Sequence, residues 1–259
     1  MKLPRHVFTM RSKISSKRPF IALATLCYTM GGLCTAFFLS WIMLAHVDFL
    51  YGFWHDKVGI AEGIEEYAPQ NRFREGFGET SRRERIRLFA AINTAVHNRG
   101  EGLADIIYRS PSVDDPQPLL RAPEIVHLQD VANLLSTLKS AALTAALIWL
   151  LSIVATIVMQ RALPSLKHQL LIIGAGLLIA ALVVFLVGPV AVFNQLHIWI
   201  FPADHQWFFY YQDSLMSTMM LAPRLFGWIT AAWIPLALAC FLVLHGVAVL
   251  VNAQVGGKR

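Results

Sequence analysis

Two strings of residues in this chain have the types and spacing that acid–base chemistry needs. The first is Glu124-Ile-Val-His127-Leu-Gln-Asp130-Val131. On a helix, residues three apart share a face, so Glu124, His127 and Asp130 form one polar stripe. A histidine flanked by carboxylates is held in one tautomer and made more basic, which suits a general base. The plainer alternative is a solvated helix end with a surface histidine. The second string runs from Phe193 through His197, Phe201, Asp204, His205 and Trp207 to Asp213. Its aromatics, including Trp199, Phe208, Phe209, Tyr210 and Tyr211, read as an interfacial belt. A belt does not explain its histidines and aspartates, because ionisable groups at a membrane boundary need a partner or a task.

Other chemistries fit less well. Glu-x-x-His is also the di-iron spacing, but a di-iron site needs a second such motif and two further carboxylates, and neither appears in the apolar runs. His127, Asp130, His197 and His205 are zinc ligands by type, yet their spacing is not diagnostic and no His-Glu-x-x-His is present. Gly-x-Ser-x-Gly, the phosphate-binding loop and the dinucleotide fingerprint are absent. Cys27, Cys34 and Cys240 all lie in apolar runs, where they pack rather than attack or pair. No cofactor and no metal are expected.

The elements that must position these residues are read from composition. The chain has 259 residues, 56% of them hydrophobic and only 15% charged; mean hydropathy is +0.53. That excludes a disordered chain and argues against an ordinary soluble domain. A net charge of +6 in so apolar a chain points to lipid and membrane orientation, not to nucleic acid. Four runs reach the roughly 20 residues that a spanning helix needs. We therefore expect an all-α integral membrane protein with four transmembrane helices at 20–44, 141–160, 170–193 and 227–251. The first run is too long for a signal peptide and is expected to remain as an anchor.

Lysine and arginine in short loops set the orientation. Lys2, Arg5, Arg11, Lys13, Lys17 and Arg18 precede the first run. Arg161 and Lys167 lie in the second loop, and Lys258 and Arg259 end the chain. The tails 1–19 and 252–259 and the loop 161–169 are expected to be cytoplasmic. A mainly helical extracytoplasmic domain, 45–140, and an interfacial segment, 194–226, then share the outer face. Within 45–140, Ser81-Arg-Arg-Glu84 is a capping box, followed by helical spacing of Ile86, Phe89, Asn93 and Val96 and a stop at Gly100. A shorter helix is expected over Glu101–Tyr108 and a proline-rich linker after it. Pro123 suits the first turn of a helix running from Glu124 into the second span.

The two strings resemble the bacterial lipoprotein intramolecular transacylases, four-span membrane proteins. The match rests on Glu124, His127, Asp130 and Val131 in one block. In the other it rests on Phe193, His197, Phe201, Asp204, Trp207, Asp213, Pro223 and Phe226. It covers roughly residues 124–226; the arginine-rich segment before it matches nothing in the family. The resemblance implies movement of the sn-2 acyl chain of an S-diacylglyceryl cysteine onto that cysteine's own α-amino group, giving a lyso-form lipoprotein. The implied partners are the diacylglyceryl-modified lipoprotein and membrane lipids, at the outer face of the bacterial cytoplasmic membrane.

On that chemistry His127 is the expected base, oriented by Asp130 or Glu124. His197 is the expected partner that polarises the carbonyl or passes a proton to the leaving oxygen, and the two roles are exchangeable. Glu124, Phe201, Asp204, Trp207 and Asp213 are expected to contact substrate. The rival readings are a different histidine-dependent membrane acyltransferase or lipid hydrolase, and a metalloenzyme. A third is a non-enzymatic scaffold or sensor, which would leave the two histidines more than about 12 Å apart, beyond a bridging group.

Overall fold

The computed structural model describes residues 6–256, with side chains over 23–255. The basic residues of the tails, Lys2, Arg5, Arg11, Lys13, Lys17, Arg18, Lys258 and Arg259, therefore lie outside the described side chains. The chain opens with α1 (His6–His46), followed by α2 (Tyr51–Lys57), α3 (Ile60–Tyr67) and α4 (Arg82–His97). A hairpin of β1 (Ile107–Ser110) and β2 (Val113–Pro118) comes next. Then follow α5 (Ala122–Val158), α6 (Leu166–Val187), α7 (Pro189–Ile200), α8 (Leu215–Met220) and α9 (Arg224–Gly256). Four helices are long and apolar enough to cross a membrane: Leu23–His46, Ala122–Val158, Leu166–Val187 and Arg224–Val255. The fold is an all-α membrane protein with one small hairpin.

Local sequence accounts for most of these boundaries. Ser81 caps α4, its hydroxyl accepting the Glu84 N–H at 3.2 Å, so one N–H that a bare helix start would leave unpaired is satisfied. The helix ends where Gly100 N–H reaches back to the Ala95 carbonyl at 2.8 Å. Helix α5 runs 37 residues without a break, about 55 Å at 1.5 Å per residue, longer than a bilayer core of about 30 Å. Its first turns thus extend past any span they lead into. The third apolar run is divided: α6 stops at Val187 because Gly188 adopts φ 90°, ψ 143°, a backbone region open essentially to glycine alone. Pro189 then starts α7.

Between Glu101 and Pro118 the structure departs from the sequence reading. A short 3-10 turn, Leu103–Asp105, stands where a helix was expected, and the proline-rich stretch is strand rather than linker. Strand β2 sits at the edge of a two-stranded sheet, where prolines without an N–H do no harm. Tyr108, almost wholly buried, anchors the hairpin by donating its hydroxyl to the Glu75 carbonyl at 2.7 Å.

Packing divides the chain into two units. One takes in residues up to Leu39, Ala141–Ala180 and those from Ala237 on; the other takes in Ser40–Ser140 and Ala181–Leu236. In the first, Gly31 and Gly32 lie under Trp149. A Cβ built on Gly31 would stand 3.0 Å from the Trp149 Cβ, so glycine is what lets these two backbones approach. Phe241 and Ile173 pack nearby around Ala36. A buried polar cluster, Tyr28, Gln169 and His245, is hydrogen-bonded through His245 Nδ1.

The second unit has its own core, including Tyr51, Ile60, Ile64, Phe77, Leu88 and Tyr108. Tyr51 stacks on Phe89 at 4.1 Å between ring centroids. Its hydroxyl donates to the Met219 carbonyl at 2.9 Å, fixing α8, all six of whose residues are buried. Burial pushes the Tyr51 phenol well above its ordinary range, so it remains a hydrogen-bond donor.

Candidate active site

Both histidine strings fall in the second unit. The start of α5 is built by Glu124, fully buried, whose Oε2 accepts the backbone N–H of Arg121 at 2.8 Å. This is the reaching-back half of a capping box. Its Oε1 accepts the Ser214 hydroxyl at 2.6 Å, and the Met216 backbone N–H also donates to the carboxylate. Arg121 Nε lies 3.4 Å away, and the same guanidinium covers the Phe73 ring at 4.4 Å. Glu124 therefore joins the first turn of α5 to the start of α8. It does not touch His127 through a hydrogen bond, contrary to one of the two orientations expected.

One turn along α5, His127 is 8% exposed and its Nδ1 is buried without a hydrogen-bond partner. Its ring centroid is 6.2 Å from that of His197, 4.9 Å from Phe201 and 6.0 Å from Phe209. That separation is well inside the distance that would have favoured a scaffold. His197 comes from α7. Its Nδ1–H donates to the Phe193 carbonyl one turn back at 2.8 Å, which leaves Nε2 carrying the lone pair. Phe193, Phe201 and Trp207 surround it with tilted rings, centroids at 4.0, 5.2 and 5.0 Å. Burial holds the His197 imidazole below its ordinary range, opposed in part by the bond to Phe193, so the ring is neutral near pH 7.

The other expected residues have separate partners. Asp130 Oδ2 accepts from His205 Nδ1 at 2.7 Å, so the Asp130 carboxylate orients His205 and not His127. The reason is geometric: Asp130 lies on α5 one turn beyond His127, turned toward the segment that follows α7. Asp130 first, and Asp204 after it, raise the His205 imidazole above its ordinary range. Asp204 is exposed and acts only as this second charge. Asp213 lies 3.3 Å from Arg72 Nη1, and Arg72 N–H also donates to the Gln212 carbonyl. The site thus brings together His127, His197, Phe201 and Trp207, leaving Glu124, Asp130, Asp204 and Asp213 around its frame.

Three contributors escaped the sequence reading. Ser214 caps α8 by accepting the Ser217 N–H at 2.9 Å while donating to Glu124; its only sequence signal is a serine opening a short apolar helix. Arg121 precedes Pro123 in the turn before α5, and His205, noted in the second string and as a zinc ligand by type, was given no role in the acyl transfer. Among the described residues no group of three or more His, Cys, Asp or Glu is arranged to hold a metal ion.

With two neutral-capable imidazoles in an aromatic box and no partner on His127 Nδ1, the site can take a proton from one group and give one to another. It presents no serine or cysteine nucleophile between the rings. Comparison with known proteins gives a partial family match and a likeness of fold. The family model described as lipoprotein intramolecular transacylase Lit matches residues 113–223. No curated protein matches. A solved structure of the membrane integral lipoprotein intramolecular transacylase Lit from Bacillus cereus, carrying a histidine-to-arginine mutation, is 15% identical. The likeness covers 96% of this chain and 99% of that one with a TM-score of 0.62. A second structure of that enzyme is 16% identical over 92% of this chain and 96% of the other, with a TM-score of 0.60. At such identity the likeness is one of fold. Residues 113–223, which carry both histidine strings, are thus a match to the lipoprotein intramolecular transacylase family, set in a chain whose fold is that of solved members of it.

Proposed function

We propose that the chain is a membrane acyltransferase that moves the sn-2 acyl chain of an S-diacylglyceryl cysteine to the α-amino group of the same lipoprotein. The substrate's α-amino group, with a pKa of about 7.7–8.0, is mostly protonated near pH 7 and needs a base. The observation that carries the assignment is the Phe193 carbonyl bond, which leaves His197 Nε2 free to accept. This exchanges the roles first expected. His197 takes the N–H proton as the amine attacks the ester carbonyl. The carbonyl carbon–oxygen bond to glycerol breaks and the proton held by His197 passes to the departing oxygen, while His127, kept neutral by a pKa that burial and His197 lower to about 4, donates an N–H hydrogen bond to the developing oxyanion. The ammonium first releases one proton to solvent to become the free amine; from there the proton taken by His197 is the one returned to glycerol, so the transfer step itself gains and loses none, and the two rings, 6.2 Å apart, act on one substrate group.

No enzyme nucleophile is required, because amine and ester belong to one molecule. Holding them in a near-attack pose contributes about 7–11 kcal/mol of the barrier reduction. The aromatic rings exclude water, which keeps hydrolysis from competing. Phe201 and Trp207 contact the substrate, while Glu124, Asp130 and Asp213 hold the elements that carry them. The reaction is assigned to the extracytoplasmic face of the bacterial inner membrane, following the loop charges.

The test is conversion of purified diacylglyceryl lipoprotein in vesicles, read by fragment mass spectrometry. An acyl chain that moves from glycerol to the amino terminus at unchanged total mass supports the proposal. Full activity of both His127→Ala and His197→Ala would sink it. An acyl chain drawn from labelled bulk phospholipid would assign the site to intermolecular transfer instead.

A further inference from the structure

The segment after α7 covers the histidines without regular structure of its own. Residues 201–210 form neither helix nor strand. Their backbone bonds among the described residues are local, Phe201 N–H to the His197 carbonyl and His205 N–H to the Pro202 carbonyl. Yet this segment supplies Phe201 and Phe209 against His127, and Phe201 and Trp207 against His197. With these rings in place His127 is only 8% exposed and its Nδ1 is buried, so the rings must part for Nδ1 to meet a diacylglyceryl group. The cover must lift for substrate to enter and settle again for the reaction.

One long-range hydrogen bond is placed to control that movement. His205 Nδ1 meets Asp130 Oδ2 at 2.7 Å, joining the middle of the segment to α5 one turn beyond His127. The two side chains are 36% and 14% exposed, so water reaches the pair. We propose that the His205–Asp130 pair is a latch that holds the aromatic segment 201–209 over His127 and His197. His205 is then a positioning residue for the acyl transfer proposed above, and the inference rests on that reading for its purpose, though not for its existence.

The charged groups acting on His205 are Asp130 from α5 and Asp204 from its own segment. Both favour the protonated ring, so its pKa in the folded state lies above the ordinary value. The pair is fully charged below the ordinary histidine value of about 6.5 and weakens as pH rises through the folded value. Alkaline conditions therefore loosen the cover, and acidic ones tighten it.

The test labels histidines of the full chain in nanodiscs with diethyl pyrocarbonate and follows each by mass spectrometry. In His205→Asn and in Asp130→Asn, His127 is expected to react about tenfold faster than in the parent, as when one charge-assisted hydrogen bond no longer favours the closed arrangement. The swapped pair, Asp130→His with His205→Asp, is expected to restore protection. His55, 3% exposed in the same unit, serves as the internal gauge of folding and is expected to stay protected throughout. Unchanged labelling of His127 overturns the latch. So does a rise at His55 together with His127, because the pair would then hold the whole unit and not the cover. If His127 labelling rises while the parent itself converts no lipoprotein, the latch stands and the proposed reaction falls.

Discussion

Glu124→Ala and Glu124→Gln separate a carboxylate that builds the site from one that takes part in its chemistry. Alanine leaves three buried donors without an acceptor, the Ser214 hydroxyl and the N–H groups of Arg121 and Met216. At about 1–3 kcal/mol for each unsatisfied buried donor, and with Arg121 losing its anion, the loss comes to about 3–5 kcal/mol once water entering the vacated volume recovers part of it. Glutamine keeps the shape. Its carbonyl oxygen accepts from Arg121, and its amide donates to Ser214, whose hydroxyl rotates from donor to acceptor. What remains lost is the charge facing Arg121, 3.4 Å away, and the charge that strengthens the bond from the Met216 N–H, together about 1–3 kcal/mol.

The assay is thermal unfolding in micelles, where each kcal/mol is worth about 2–4 °C for a soluble chain near this size, run beside lipoprotein conversion. Alanine is expected to lower the midpoint further than glutamine and to abolish conversion by releasing α8. Glutamine should keep most of the activity. Equal loss of activity in both variants, with glutamine stable, would refute the structural role and make Glu124 a proton-transferring group. An alanine variant as stable as the parent would refute the magnitude.

Further outcomes follow from single observations. His197→Gln is expected to slow conversion by about 10²–10⁴, the usual share of a general acid–base group, without shifting the unfolding midpoint as Glu124→Ala does. Because burial depresses the His197 pKa, the neutral base persists as pH falls. The acid limb set by the enzyme should therefore lie below the ordinary histidine value of about 6.5, separate from the limb near 7.7–8.0 that the substrate amine sets by its own ionisation, and an enzyme limb that His197→Gln removes at or above 6.5 would contradict the assignment. Gly188→Ala meets no atom within 4 Å but keeps φ at +90°, so calorimetry should show a purely conformational cost of about 1–3 kcal/mol. Gly174→Ala, equally open and mid-helix, should instead stabilise by about 0.5–1 kcal/mol. Arg82 and His55 hold the Asp56 carboxyl down at about 2, yet the Arg82–Asp56 pair is 55% and 39% exposed. Arg82→Ala should leave the unfolding midpoint essentially unchanged in a melt at moderate salt.

The sequence alone determined whatever depends on residues close together in the chain. Four apolar runs become four long helices because a backbone in lipid must satisfy its own hydrogen bonds. Ser81 and Pro123 mark helix starts, and helical spacing puts Glu124, His127 and Asp130 on one side of α5. The type of chemistry was legible too, since only histidines among these residues titrate near neutrality. What the sequence could not decide was partnership across distance. Asp130 is three residues from His127 yet bonds His205, 75 positions away, and Glu124 is met by Ser214, 90 positions away. Adjacency on a helix face makes two side chains neighbours, but a carboxylate follows the donor that packing brings to it. The hairpin at 107–118 was hidden for the same reason: its prolines read locally as a linker, and only a paired strand and the anchoring of Tyr108 make an edge of them. The tertiary structure alone fixed the free nitrogen of His197, the orphaned nitrogen of His127 and the aromatic cover that encloses both.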